Sequence, residues 1–185
     1  ADKWTRTQVA TLSAQAVYVR PADLDGDGWA DVAAGDSWWR NPAGSAQGWV
    51  KQTLAAPLRN IAAAVDLDGD GDIDLFGTQG VGSKANANFA WAENDGSGRF
   101  RVHTNIPSGQ GDFLQGVVVR RFRANGALQI ALSWHRAGVG VQVLTVPTAP
   151  ASTRWTWTKI SNVSHTLSAM VAGVVWQRRR ESSSG

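Results

Sequence analysis

The residues with the clearest chemistry are aspartates at fixed spacing. Asp23-Leu24-Asp25-Gly26-Asp27-Gly28, followed by Asp31, sets four carboxylates within nine residues, and Asp66-Leu67-Asp68-Gly69-Asp70-Gly71, followed by Asp74, repeats that spacing. Carboxylates drawn together in a tight turn repel one another unless a cation sits among them. Hard oxygen donors in a flexible loop favour Ca²⁺, which takes about 6–8 oxygens, over the stricter octahedral Mg²⁺. Gly28 and Gly71 stand where such a loop must turn sharply, and the backbone carbonyls of Trp29 and Asp72 stand where a further ligand is needed. An EF-hand would place a bidentate Glu at the twelfth position. Ala34 and Gly77 occupy it instead, which excludes that motif. The expectation is two Ca²⁺ sites, one on Asp23, Asp25, Asp27, Trp29 and Asp31, the other on Asp66, Asp68, Asp70, Asp72 and Asp74.

A third copy, Arg121-Phe122-Arg123-Ala124-Asn125-Gly126, replaces the acids with Arg121, Arg123, Asn125 and Gln129. It cannot hold calcium. Two readings stand: guanidinium groups donate to turn carbonyls in place of the ion, or a redundant site has decayed. No catalytic constellation is visible. His103, His135 and His165 lie far apart along the chain and in no metal-binding spacing, there is no Gly-x-Ser-x-Gly elbow, and the absence of cysteine removes any thiol nucleophile. His103, in a strand that ends a repeat, reads as structural; His135, beside Trp134 where a strand meets a loop, is the better functional candidate. Trp38, Trp39, Trp91 and Trp134 lie just before turns, where aromatic rings could stack on a sugar with Asn41, Glu93 and Asn94 as polar partners. The competing reading of these rings is packing between repeats.

The elements that position these residues repeat with them. The Asp loop recurs at an offset of 43 residues and its degenerate copy at a further 55. Each copy follows a short apolar stretch: Tyr18-Val19, Ile61 to Val65, Val117 to Val119 and Val171 to Val175. An aromatic residue with an aliphatic one five positions on marks Trp4/Val9, Trp49/Leu54 and Trp155/Ile160, with Phe100 at the matching place. Trp38-Trp39-Arg40-Asn41 matches Trp91-Ala92-Glu93-Asn94. One unit therefore reads strand, Asp loop, strand, turn, strand, Gly-rich turn, aromatic strand. Four short strands in about 45–55 residues is the size of a propeller blade. The fold class expected is all-β: a β-propeller or partial propeller of about 3.5 four-stranded blades, with the calcium loops between the first two strands of a blade. The chain is read as one propeller segment over 1–185, with repeats at roughly 1–48, 49–99, 100–154 and an incomplete 155–185. Ala62-Ala63-Ala64 and Val171-Ala172-Gly173 suit an innermost strand, where space is short.

Charge follows the repeats. Residues 1–100 hold 13 acidic and 8 basic groups, whereas residues 101–185 hold 2 acidic and 10 basic groups. Two bound Ca²⁺ ions would nearly neutralise the first part, so the basic second part is weak evidence for nucleic acid. No run approaches the roughly 18 consecutive apolar residues of a membrane span. Arg178-Arg179-Arg180 reads as a degenerate fourth loop rather than a tail for an acidic partner.

The Asp loops, Trp38-Trp39-Arg40-Asn41-Pro42, Trp91-Ala92-Glu93-Asn94 and Gly98-Arg99-Phe100-Arg101-Val102-His103-Thr104 together resemble the FG-GAP/VCBS-type repeats. The resemblance is close over 4–106 and degenerate over 107–180. It implies a propeller of about seven blades with calcium on the eight aspartates and a secreted or periplasmic location; with no catalytic constellation visible, the chain is not expected to be an enzyme. The resemblance further implies a binding module, with carbohydrate as ligand in a lectin-like role. The alternatives are a protein-adhesion module of the integrin-like sort and the scaffold of a polysaccharide-processing enzyme. A homodimer or a further chain segment is expected to complete the ring.

Overall fold

The computed structural model describes residues 6–12, 15–45 and 48–160. Trp4 and the stretch 161–185, with His165, Val171 to Val175 and Arg178 to Arg180, lie outside the described residues. Twelve strands form three four-stranded sheets, and no helix occurs among the described residues. The first sheet holds β1 (Val19–Ala22), β2 (Asp31–Ala34), β3 (Ser37–Arg40) and β4 (Val50–Thr53). The second holds β5 (Asn60–Val65), β6 (Asp74–Thr78), β7 (Phe89–Asn94) and β8 (Phe100–His103). The third holds β9 (Leu114–Arg120), β10 (Gln129–Trp134), β11 (Gln142–Thr145) and β12 (Thr156–Lys159). In each, every strand pairs antiparallel with the next in sequence. The aromatic strand of each repeat, β4, β8 or β12, thus closes the sheet made with the three strands before it, hydrogen-bonding to the third of them. The sheets run one strand out of phase with the repeat boundaries at 49, 100 and 155.

The alternation of side chains explains how the sheets stack. In the second sheet Leu75 and Ala92 are paired in register and face the first sheet, in a core with Leu24, Ala33 and Trp38. Their neighbours Phe76 and Trp91, also paired, face the third sheet and pack with Ile130, Leu132 and Leu144. A sheet covered on both faces has near-continuous apolar strands, and β6 and β7 are buried along most of their length. The aromatic residues at the fourth strands of the second and third sheets reach the preceding sheet. Phe100 meets Trp38 edge-on at 6.4 Å, and Trp155 stacks on Phe76 at 6.3 Å and lies 6.2 Å from Trp91. The first strands come together, β5 touching both β1 and β9. Ala62 and Ala63 are buried there, where larger side chains would hold these backbones apart.

Candidate metal centre and ligand site

Both Asp loops join the first and second strands of a sheet, and both are built the same way. Two glycines in each take left-handed φ, 75° and 87° at Gly26 and Gly28, 88° and 101° at Gly69 and Gly71. A side chain would be strained at these turns. The first aspartate caps the turn: Asp23 accepts the N–H of Gly26 at 2.9 Å and of Gly28 at 2.8 Å, and Asp66 those of Gly69 at 2.7 Å and Gly71 at 3.2 Å. Asp27 and Asp70 accept the N–H of Trp29 and Asp72, each at 2.9 Å. The last aspartates, Asp31 and Asp74, are buried where β2 and β6 begin. Their Oδ2 atoms accept the N–H of Leu24 and Leu67, both at 2.9 Å, and their Oδ1 atoms those of Asn41 at 2.7 Å and Asn94 at 2.9 Å. Each therefore ties its loop to the end of the third strand.

Backbone donors do not exhaust the acid. Oxygens of Asp23, Asp25 and Asp27 lie within 4.8 Å of one another, as do oxygens of Asp66, Asp68 and Asp74. Asp31 and Asp70 stand outside these two groups of three. Asp25, whose side chain is 9% exposed, keeps its Oδ1 buried with no hydrogen-bond partner. A buried carboxylate oxygen without a donor costs free energy that a cation would recover. The donor set is oxygen throughout, in an open loop with backbone carbonyls at hand, so the residues present fit Ca²⁺.

The two loops differ in one respect. Arg40 reaches into the first, its Nε 2.5 Å from Asp25 Oδ2 and its Nη2 3.2 Å from Asp27 Oδ2. At the matching place beside the second loop stands Glu93, which turns away to His103 Nε2 at 2.7 Å. The first loop thus carries an internal cation and the second does not. Burial, opposed by the N–H groups of Asn94 and Leu67 and reinforced by Asp68 and Asp70, pushes the Asp74 carboxyl up to about 7. Burial likewise raises Asp31 and Asp68, with neighbouring carboxylates adding to it.

The third loop takes a different path. Gly126 N–H bonds the Arg123 carbonyl at 3.0 Å across a turn with Asn125 at φ 58°, and Arg121 Nη1 donates to the Gly126 carbonyl at 2.8 Å. A guanidinium does close this loop onto a turn carbonyl. The residue that does so is Arg121, while Arg123 contributes its backbone.

The sugar-stacking expectation for the tryptophans meets a correction. Trp38, Trp39, Trp91 and Trp134 are all buried, Trp91 completely. Trp38 packs in the core between the first and second sheets, and Trp91 and Trp134 in the core between the second and third, so these rings pack instead of opening to solvent. Asn41 and Asn94 are braces of the aspartate loops rather than free polar partners: Asn41 Nδ2 bonds the Ala30 carbonyl at 2.8 Å, and Asn94 is 3% exposed. Glu93 holds His103, whose ring stacks on Trp91 at 4.7 Å. The exposed tryptophan among the described residues is Trp29, at the tip of the first loop.

His135 keeps an accessible place. Its Nδ1 lies 3.2 Å from Asp112 Oδ2, and its ring meets Phe113 edge-on at 5.9 Å. Burial alone would raise the Asp112 carboxyl, but N–H groups of Phe113 and Arg136 and the His135 ring together hold it below its ordinary range. His135 borders a cleft of about 530 Å³, where the segment Gln15–Val17, Gly82, Ser83, Phe113 and Gln115 form the remaining walls. The walls are tied by backbone bonds, Gly82 N–H to the Gln15 carbonyl at 3.0 Å and His135 N–H to the Phe113 carbonyl at 2.9 Å. Repeat comparison could not have found this cleft, since its residues, Gln115 of β9 apart, fall in the connections that vary between units. No family model matches the chain, and no curated protein or solved structure matches it.

Proposed function

We propose that this chain is a calcium-stabilised segment of a β-propeller that serves outside the cytoplasm as a carbohydrate-binding module without catalytic activity of its own. The observation that carries the calcium reading is the orphaned Asp25 Oδ1, buried among Asp23 and Asp27 in a loop whose spacing recurs at Asp66 to Asp74. The propeller reading is supported by three like sheets stacked face to face with their first strands together, and by the resemblance to FG-GAP/VCBS-type repeats. Open, oxygen-lined calcium loops of extracellular modules bind at about 10⁻⁴–10⁻³ M, a level met outside cells and not in the cytosol. The ligand reading moves from the buried tryptophans to the cleft at His135. Its lining offers two Gln amides, a Ser hydroxyl, an imidazole and the Phe113 ring, with no Lys, Arg, Asp or Glu side chain among the described residues. Uncharged donors and acceptors beside an aromatic ring match a neutral polyhydroxylated ligand.

Two measurements test this. At these affinities millimolar CaCl₂ is about 1–10 times Kd and each calcium site adds about 0.4–1.4 kcal/mol of stability, so millimolar CaCl₂ should raise the melting temperature above that in EDTA. Equal melting temperatures, with no calcium by elemental analysis, would remove the metal. On a glycan array, binding that is lost in Gln115→Ala and His135→Ala supports the cleft; binding that survives both substitutions moves the ligand elsewhere.

A further inference from the structure

The two aspartate loops do not lie apart from one another. The turn joining β7 to β8 is wedged between them. A β-carbon on Gly26 of the first loop would come 3.1 Å from the Gly96 carbonyl oxygen, and one on Gly96 would come 2.6 Å from Asp72 Oδ2 of the second. A gap of about 160 Å³ between the loops is lined by residues of both, including Asp23, Asp72 and Asn94. Asn94 joins them directly. Its carboxamide nitrogen donates to the Leu24 carbonyl of the first loop at 2.9 Å and to the Ile73 carbonyl of the second at 3.0 Å. Its backbone N–H holds Asp74 Oδ1, and its side-chain oxygen accepts the N–H groups of Gly96 and Gly98 at 3.2 Å each. The side chain spends both amide hydrogens on carbonyls adjacent to metal-ligand positions, one in each loop.

We propose that the two loops bind calcium cooperatively, with Asn94 as the residue that couples them. The inference rests on the calcium reading above, whose independent support is the buried, partnerless Asp25 oxygen. Leu24 lies between Asp23 and Asp25, so an ion that orders the first loop fixes the carbonyl that Asn94 grips. The fixed Asn94 in turn orients Asp74 through its backbone N–H and steadies Ile73, beside Asp72. The second ion then binds a loop whose ordering cost has already been met, which is positive coupling without a large rearrangement. Thermodynamic reciprocity requires each ion to favour the other by the same factor. In the third sheet Val146 stands at the position corresponding to Asn94, so this brace is particular to the pair of acidic loops.

The test is calorimetric titration with CaCl₂ at 150 mM salt, where repulsion between the ions is screened beyond about 8 Å. Asp68→Asn should leave only the first loop, and Asp25→Asn only the second. Coupling predicts a wild-type isotherm steeper than the sum of the two single-site isotherms, each ion binding at least about fivefold tighter in the presence of the other. In an Asn94→Ala background the isotherm should collapse to the sum of its own single-site variants. Should Asn94→Ala fail to fold, the wild-type comparison decides alone. A wild-type isotherm equal to the sum of the two variants overturns the coupling and leaves the calcium sites standing. A wild-type protein that takes up no calcium removes the calcium reading and the coupling with it.

Discussion

The buried Asp74 makes a prediction about pH that changes sign with calcium. In the ion-free protein its carboxyl is pushed up to about 7 from an ordinary 3.8. The folded state therefore holds a proton that the unfolded chain has released, throughout the window between these values. The stability this proton contributes is fully present below pH 3.8 and is lost as pH rises through about 7. A full unit of difference in bound protons is worth about 1.4 kcal/mol per pH unit, which would accumulate to about 4 kcal/mol across the window. Although the carboxyl is buried, the loop it faces is open to water, and screening trims this to about 2 kcal/mol. For a chain of this size that is roughly 4–8 °C in melting temperature. Asp31 and Asp68 are raised for the same cause and act in the same direction. Asp112 is lowered, so its contribution is lost only at acid pH and does not confuse a scan begun at pH 5. The assay is thermal melting followed by circular dichroism from pH 5 to 7.5, once in EDTA and once in millimolar CaCl₂. In EDTA the melting temperature should fall with rising pH, and Asp74→Asn should flatten the slope. In calcium, which needs the carboxylates ionised, it should hold or rise. An EDTA series that stays level or climbs between pH 5 and 7.5 refutes the reasoning.

Three further outcomes follow from particular contacts. Arg40 competes with any ion for Asp25 and Asp27 through a pair that is half exposed on the arginine side. Removing it should tighten the first loop for calcium about two- to fivefold, as befits a partly exposed ion pair, while Arg40→Ala leaves the second loop unchanged by calorimetry. Arg121→Ala should destabilise the protein by about 0.5–1.5 kcal/mol, equally with and without calcium, because it removes one bond to the Gly126 carbonyl. Asp68→Ala should instead act mainly on calcium-dependent stability, and denaturant melts in both buffers separate the two cases. Finally, Phe122 occupies the loop position where Leu24 and Leu67 are buried against a following sheet, yet it is 48% exposed. The propeller reading places another sheet there, so light scattering should show self-association that Phe122→Ser weakens; a stable monomer of 19.7 kDa counts against it.

The parts of this molecule that were legible in its sequence are those in which one physical requirement acts on every repeat. Strand, loop and turn order could be read because the left-handed glycines and the capping aspartates recur at the same offsets, and a loop that must turn sharply has few alternatives. Phe100 and Trp155 could be aligned for the same reason, since each covers the sheet before its own. What failed to show was the effect of stacking on neighbouring residues. Trp38 and Trp39 are adjacent, so their rings face opposite ways, and a sequence reading that treats strand ends as open to solvent cannot know that both are buried. Asn94 illustrates the limit most sharply. Its alignment with Asn41 marked it as a repeated polar residue at a strand end, and a sugar contact explained that as well as a brace did. The bond that distinguishes the two readings runs from Asn94 to Leu24, 70 residues away and in another sheet. Nothing in a repeat comparison records what one unit does to the unit beside it. The same gap explains Arg121 and Arg123. Both align with lost aspartates, and only the changed turn at Asn125 decides which guanidinium can reach a carbonyl. Where a property belongs to one unit, the sequence pattern exposes it; where it arises between units, as the proposed coupling of the two aspartate loops would, only the packed structure brings the partners together.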